Sequence, residues 1–173
     1  MRIISGSRKG HTIHAPRGSE TRPTSDRVRE NVFNILGPVD GANVLDLFAG
    51  SGAMGLEALS RGAARAVFVE SDRDAVRAIE RNLDKLRLKA TVLERDALAV
   101  LAAERTKYDL VFVDPPYGMY PELEPQLARY LPRVLDDDGV VVLETDARAP
   151  SALPLVERTS RKYGQTRVTV YEK

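Results

Sequence analysis

The chain contains no cysteine, which excludes disulfides, thiolate metal sites and thiol nucleophiles. No apolar stretch approaches the roughly 20 residues that span a bilayer, and Met1–Gly6 lacks the apolar core of a signal peptide. Internal repeats and low-complexity tracts are also missing. Together these absences point to a cytoplasmic protein with no membrane and no metal partner. The 173 residues suffice for one α/β domain with a proper core but not for two. At 43% hydrophobic and 29% charged, the composition is that of an ordinary globular chain.

Charge is scarce in sum but uneven in place, the net being +1. Residues 1–24 hold Arg2, Arg8, Lys9, Arg17 and Arg22 against Glu20, a net of +4, and also both histidines, His11 and His14. The other residues carry 21 basic and 24 acidic side chains, a net of −3. This asymmetry suggests a basic arm that meets a polyanion, set on a neutral to acidic body. A solvated surface strand would carry the same charges, so charge alone leaves both readings open.

The strongest local signal is Val44-Leu45-Asp46-Leu47-Phe48-Ala49-Gly50-Ser51-Gly52, a strand, a tight turn and the start of a helix. Glycine adopts backbone angles other residues avoid and lets a ligand reach the main chain. The amides that open the next helix face the crevice where strand order tends to reverse in open α/β sheets. Gly50 through Gly55 satisfy G-x-G-x-x-G, weak evidence by itself. Glu70, which ends the next apolar run, lies 20 residues beyond Gly50, the spacing of a ribose-binding acid on a second strand. A nicotinamide cofactor and S-adenosylmethionine both carry that ribose.

Around this stretch the chain alternates. A short N-terminal hairpin (Ile3-Ile4 and Thr12-Ile13) and a proline-bearing loop precede a helix capped by Ser25 or Asp26 and stopped at Gly37-Pro38. Later strands are expected at 66–70, 90–95, 108–113 and 140–144, with helices near 53–61, 72–86, 97–101 and 122–131 between them. Asp136-Asp137-Asp138-Gly139 reads as a turn, and the tail as two paired strands. Such alternation implies a mostly parallel sheet covered on both faces, with an antiparallel edge from the terminal hairpin.

Four strands end in an acid: Asp46, Glu70, Asp96 and Asp114. Any one could cap a helix; four in succession line the carboxyl edge where ligands of open α/β sheets bind. Asp114-Pro115-Pro116-Tyr117 is the most specific. Its prolines remove backbone donors and leave the Asp114 carboxylate and Pro115 carbonyl as rigid acceptors beside the flat face of Tyr117. Acceptors next to a ring suit a planar group bearing an exocyclic amine.

Taken in order, the glycine turn, Glu70, Asp96 and the tetrapeptide resemble a class I S-adenosylmethionine-dependent amino methyltransferase. More narrowly, Met1–Gly6, Arg22-Pro23-Thr24-Ser25-Asp26-Arg27-Val28-Arg29-Glu30 and Leu45 through Ala63 resemble the RsmD family, and the likeness covers nearly the whole chain. Tyr117 stands where the family has phenylalanine and keeps the stacking face. The resemblance implies a single Rossmann-like domain at 25–173, its seven-stranded sheet mostly parallel, with residues 1–24 as an N-terminal extension. It implies methylation of the 2-amino group of one guanine in bacterial 16S ribosomal RNA, within the small ribosomal subunit; a monomer is the default expectation. Asp46, Phe48, Ala49, Gly50, Ser51 and Gly52 would then hold the methionine part of S-adenosyl-L-methionine. Glu70 with Ser71 would take the ribose, Asp96 and Ala97 the adenine, and Asp114, Pro115, Pro116 and Tyr117 the target amine. Arg8, Lys9, His11 and Arg17 would touch RNA, with Arg22 and Thr24 near the methionine end or the base. Adenine 6-amino methylation, nicotinamide oxidoreduction and a non-catalytic RNA-binding module are the competing readings.

Overall fold

The computed structural model describes residues 1–16 and 25–173; the expectations for Arg17, Arg22 and Thr24 lie outside the described residues. The elements run α1 (Asp26–Leu36), β1 (Asn43–Leu47), α2 (Ala53–Ser60), β2 (Arg65–Glu70), α3 (Arg73–Leu86), β3 (Thr91–Glu94), α4 (Ala97–Ala103), β4 (Tyr108–Val113), α5 (Tyr120–Val134), β5 (Leu135–Asp146), β6 (Val156–Tyr163) and β7 (Thr166–Glu172). Ser25 caps α1 by accepting from the Val28 amide. Asp96 does the same for α4 through Ala99.

The strands form one seven-stranded sheet in the order β3-β2-β1-β4-β5-β7-β6. β1 to β5 are parallel, and β7 runs antiparallel to both its neighbours, as the reading of the tail expects. Central strands buried on both faces are close to continuous apolar runs, which is why Val44–Leu47 and Leu110–Val113 lack polar alternation. α1, α2 and α3 cover one face together with Ile3 and Ile13, against Val44, Phe68 and Phe112. α4 and α5 cover the other, against Leu45, Val67 and Val111. Strand order reverses between β1 and β4, which opens the crevice at their carboxyl ends.

The two N-terminal segments pair as a short hairpin: Arg2 bridges Thr12, and the amides of Ile3, Gly10 and Ile13 donate to the carbonyls of His11, Ile3 and Met1, while those of Ile4 and Ser5 donate to the Glu57 carboxylate. Two local expectations are corrected. α5 extends to Tyr120–Val134, running through Pro125 and Pro132. The acidic triplet is not a turn but lies in β5. There Tyr108 pairs with Leu135 and Leu110 with Val140, so residues 136–139 bulge out opposite a single residue of β4.

Candidate active site

Asp46 lies at the end of β1, buried, and accepts the Gly55 amide at 3.0 Å. It therefore binds the first turn of α2, and so locks the glycine turn between strand and helix. Phe48, Gly50 and Gly52 all have positive φ, at 56°, 57° and 81°. Space above Gly50 is open, whereas a side chain at Gly55 would strike the Phe68 ring at 2.4 Å. Glycine is thus favoured for conformation at Gly50 and Gly52 and required for close approach at Gly55.

Glu70 closes the turn from the neighbouring strand. One carboxylate oxygen accepts from Gly50 at 2.9 Å and the other from Asp72 at 2.9 Å. A carboxylate offers about four lone-pair sites, so Glu70 keeps capacity for ribose hydroxyls while bracing the loop. Asp96 is exposed and spends one oxygen on its cap. Exposed Ser71 and half-buried Ala49 and Ser51 lie along the same edge. Open space over Gly50, flanked by carboxylate acceptors, fits a nucleoside with hydroxyl and amino donors.

Asp114 follows β4, half-buried. The register pairs Val113 with Leu143, so Asp114 lies beside Glu144 on β5. Burial first, then the charges of Glu144 and Asp46, hold the Asp114 carboxyl well above the usual carboxylate range. Pro115 is buried beneath, and Pro116 is exposed. Tyr117 is 78% exposed. Its hydroxyl is directed at Asp146, which raises the phenol above its ordinary value and, with the Arg148 amide, lowers the acid. The structure thus brings Asp46, Asp114, Pro115 and Tyr117 to one crevice, and it adds Glu144 and Asp146, which the sequence reading did not single out. Their only sequence signal is the 144/146 spacing at the end of an apolar strand, which places both on one face.

Asn82 was also passed over. Buried on α3, its amide donates to the carbonyls of Ser51 at 3.1 Å and His14 at 2.9 Å, and its oxygen accepts from His14. It ties the N-terminal segment to the glycine turn; a polar residue between Ile79 and Leu83 on an apolar face is the available hint. Arg8, an expected RNA contact, has partners within the chain. Its guanidinium donates to Leu86 and Arg87 carbonyls at 2.5 and 3.3 Å, capping the C-terminus of α3, where the helix dipole favours a cation. Lys9 and His11 are exposed on the same segment.

The Asp46 carboxyl is pushed up to about 8 by burial, with the Glu70 charge adding and the Gly55 amide opposing. An acid raised in the folded state contributes stability below its unfolded pKa and loses it as pH rises through the folded one. Stability of the free protein should therefore fall between about pH 4 and about pH 8. In Asp46→Asn that fall should be shallower. Denaturant unfolding at pH 5 and pH 8 measures it; equal slopes in both proteins would place the pH dependence elsewhere.

YlbH of Bacillus subtilis (strain 168), provisionally named an rRNA methyltransferase, is 41% identical over 187 residues, covering 100% of this chain and 99% of that protein. Ribosomal RNA small subunit methyltransferase D of Escherichia coli (strain K12) is 47% identical over 119 residues, 68% of this chain and 60% of that protein. Among solved structures, the Escherichia coli protein yhhF, provisionally named a methyltransferase, matches with a TM-score of 0.86 at 36% identity, covering 100% of this chain and 97% of that one. The 16S rRNA N2 G1207 methyltransferase (RsmC) of T. thermophilus, in complex with AdoMet and guanosine, shares the fold at a TM-score of 0.72 and 24% identity, over 91% of this chain and 44% of that one. The family model described as conserved hypothetical protein 95 matches residues 1–172. The chain belongs to that family, the RsmD family.

Proposed function

We propose that this protein transfers a methyl group from S-adenosyl-L-methionine to the 2-amino group of a guanine in 16S rRNA, within the small ribosomal subunit. The observation that carries this reading is the pairing of Asp114 and the Pro115 carbonyl with the glycine turn of β1, across the point where strand order reverses. Family membership supports an rRNA substrate. The AdoMet-bound relative in fold supports the cofactor.

When bound, the cofactor supplies an electrophilic methyl on a sulfonium. The chain's part is to prepare the nucleophile. The guanine amine is a poor nucleophile because its lone pair is delocalised into the ring. Asp114 and the Pro115 carbonyl accept its two protons, which returns density to nitrogen and aims the lone pair toward the Gly50 side of the crevice. Alignment of this kind supplies several kcal/mol, since contact geometry removes most of the entropic barrier. Tyr117 offers its exposed face to the base, which must be unpaired or flipped out to reach it.

The test is methyl transfer from labelled S-adenosylmethionine to small subunits from cells lacking the enzyme, followed by nucleoside analysis. Label in 2-methylguanosine is expected. Label in 6-methyladenosine would retain cofactor and fold but replace the substrate, and no transfer despite cofactor binding would favour an RNA-binding module.

Tyr117 gives a second expectation. Removing a stacking ring costs about 1–3 kcal/mol per base, so Tyr117→Ala should raise KM for the subunit about tenfold or more while cofactor Kd stays unchanged. Tyr117→Phe keeps the ring and loses only the Asp146 interaction, so its KM should remain close to wild type. A titration of initial rates against subunit concentration separates the two variants.

A further inference from the structure

The carboxyl ends of three adjacent strands place three acids in one patch of the sheet: Asp46 on β1, Asp114 after β4 and Glu144 on β5. Two have partners elsewhere in the chemistry described above. Asp46 accepts the Gly55 amide, and Asp114 faces the substrate amine. Glu144 has no part in that account, yet the register sets it directly beside Asp114, and both side chains line the wall of one small cavity. Two ionised carboxylates are acceptors only, so neighbours of this kind bond to each other only through a shared proton. Their inner side faces a cavity of about 20 Å³ whose other walls include Val32, Met54, Phe112 and Val142. Apolar walls of this kind penalise a doubly charged pair.

Resting on the proposed reading of the site, we propose that Glu144 is a positioning residue for methyl transfer: one proton shared between its carboxyl and that of Asp114 bridges the strands and holds Asp114 as the amine acceptor. The outer oxygen of Asp114 stays unprotonated and takes the amine proton. As nitrogen attacks, the nitrogen–carbon bond forms and the carbon–sulfur bond breaks, the electron pair remaining on sulfur. The proton shed by the methylated nitrogen passes to Asp114, and the pair, then doubly protonated, returns one proton to solvent. Loss of the shared proton has the opposite effect. Two anions repel, the bridge opens, and Asp114 is no longer held.

The raised titration of Asp114, caused by burial and by the Glu144 charge, agrees with a bridge that keeps its proton beyond the ordinary carboxylate range. Among the described residues, the charge of Asp46 on β1 bears on the pair, and Glu70 on β2 acts in turn on Asp46.

The experiment is single-turnover methyl transfer on preformed complexes of full-length protein, cofactor and small subunit, across pH. The wild-type rate should decline at alkaline pH as the bridge opens. In Glu144→Gln an amide N–H donates to Asp114 at every pH, so that decline should vanish or move upward by at least about one unit, with KM for the subunit unchanged. Glu144→Ala should be slower by about tenfold at all pH values, because a displaced reacting group costs up to about a hundredfold. Coincident wild-type and Glu144→Gln profiles would overturn the proposal, since a purely packing role does not distinguish the two.

A second measurement needs neither variants nor RNA. Carboxyl-carbon NMR of wild-type protein should show Asp114 and Glu144 titrating together, the shared proton leaving well above the ordinary carboxylate range. Independent titration of either in the ordinary carboxylate range overturns the bridge. Failure of wild-type protein to methylate any subunit would instead refute the reading of the site and leave the NMR result standing on its own.

Discussion

Asp114→Ala should abolish methyl transfer while leaving the cofactor bound. The carboxylate supplies an acceptor that the acids beside it on β1 and β5 do not duplicate. Glu144 is engaged with Asp114 itself, Asp46 is buried and committed to the Gly55 amide, and the Pro115 carbonyl reaches only one amine proton. Losing a positioned group that steers a proton lowers rates by about 10²–10⁴-fold, and a fall of about a thousandfold in single-turnover rate is the expected result. Cofactor Kd, by calorimetry, should stay within about twofold, because Asp114 lies across the crevice from the glycine turn. Truncation also removes one of the buried charges that crowd Asp46, so the variant should be no less stable than wild type above neutral pH. A variant that kept more than about a tenth of the rate would show that the Pro115 carbonyl and base stacking suffice to orient the amine. A variant that lost cofactor binding as well would assign Asp114 to the cofactor.

What was legible in the sequence is what spacing along the chain determines. Strand ends, the glycine turn and the Asp114 tetrapeptide are each written in a few consecutive residues, and a mostly parallel sheet covered on both faces follows from alternation. Contacts that depend on register between distant segments were not legible. Glu144 meets Asp114 only because Val113 pairs with Leu143, and nothing near either residue announces it. The same holds for the N-terminal arm. Arg8 reads as a free cation that suits phosphate, but the arm folds against the C-terminus of α3, whose unpaired carbonyls take its donors first. Asp46, Glu70 and Asp96 show a further limit: each does cap or brace backbone, as a lone acid at a strand end would. The two roles are compatible, because a carboxylate that fixes a loop with one lone pair still offers others. The acidic triplet in β5 misled for a related reason, since a bulge can carry the same residues as a turn.

Glu57→Ala should produce the largest loss of stability among single substitutions outside the site. Fully buried on α2, the Glu57 carboxylate accepts from the Ile4 amide at 2.8 Å and the Ser5 amide at 3.0 Å, and pairs with Arg29 at 3.3 Å and Arg61 at 2.8 Å. Arg29 is itself fully buried and also donates to the Arg2 carbonyl and to Asp26. Arg61 lies over the Phe33 ring at 4.6 Å. One carboxylate thus fastens the N-terminal segment, α1 and α2 together. Removing it takes from the fully buried Arg29 its one fully buried carboxylate partner among the described residues, and breaking a buried pair from one side costs about 3–5 kcal/mol. For a domain of this size that lowers Tm by on the order of 10 °C. Amide exchange at Ile4 and Ser5 should accelerate with it. Replacing both buried partners, as in Arg29→Met with Glu57→Leu, should recover most of the Tm, because the two fully buried charges leave together and Asp26 and Arg61, which lose a partner, reach solvent. The rescue should not extend to exchange at Ile4 and Ser5, whose amides have lost their acceptor. Divergence of the two readouts would separate burial of an unpaired charge from anchoring of the arm. If the double variant were as unstable as Glu57→Ala, the bonds to the arm would account for the stability instead of the ion pair.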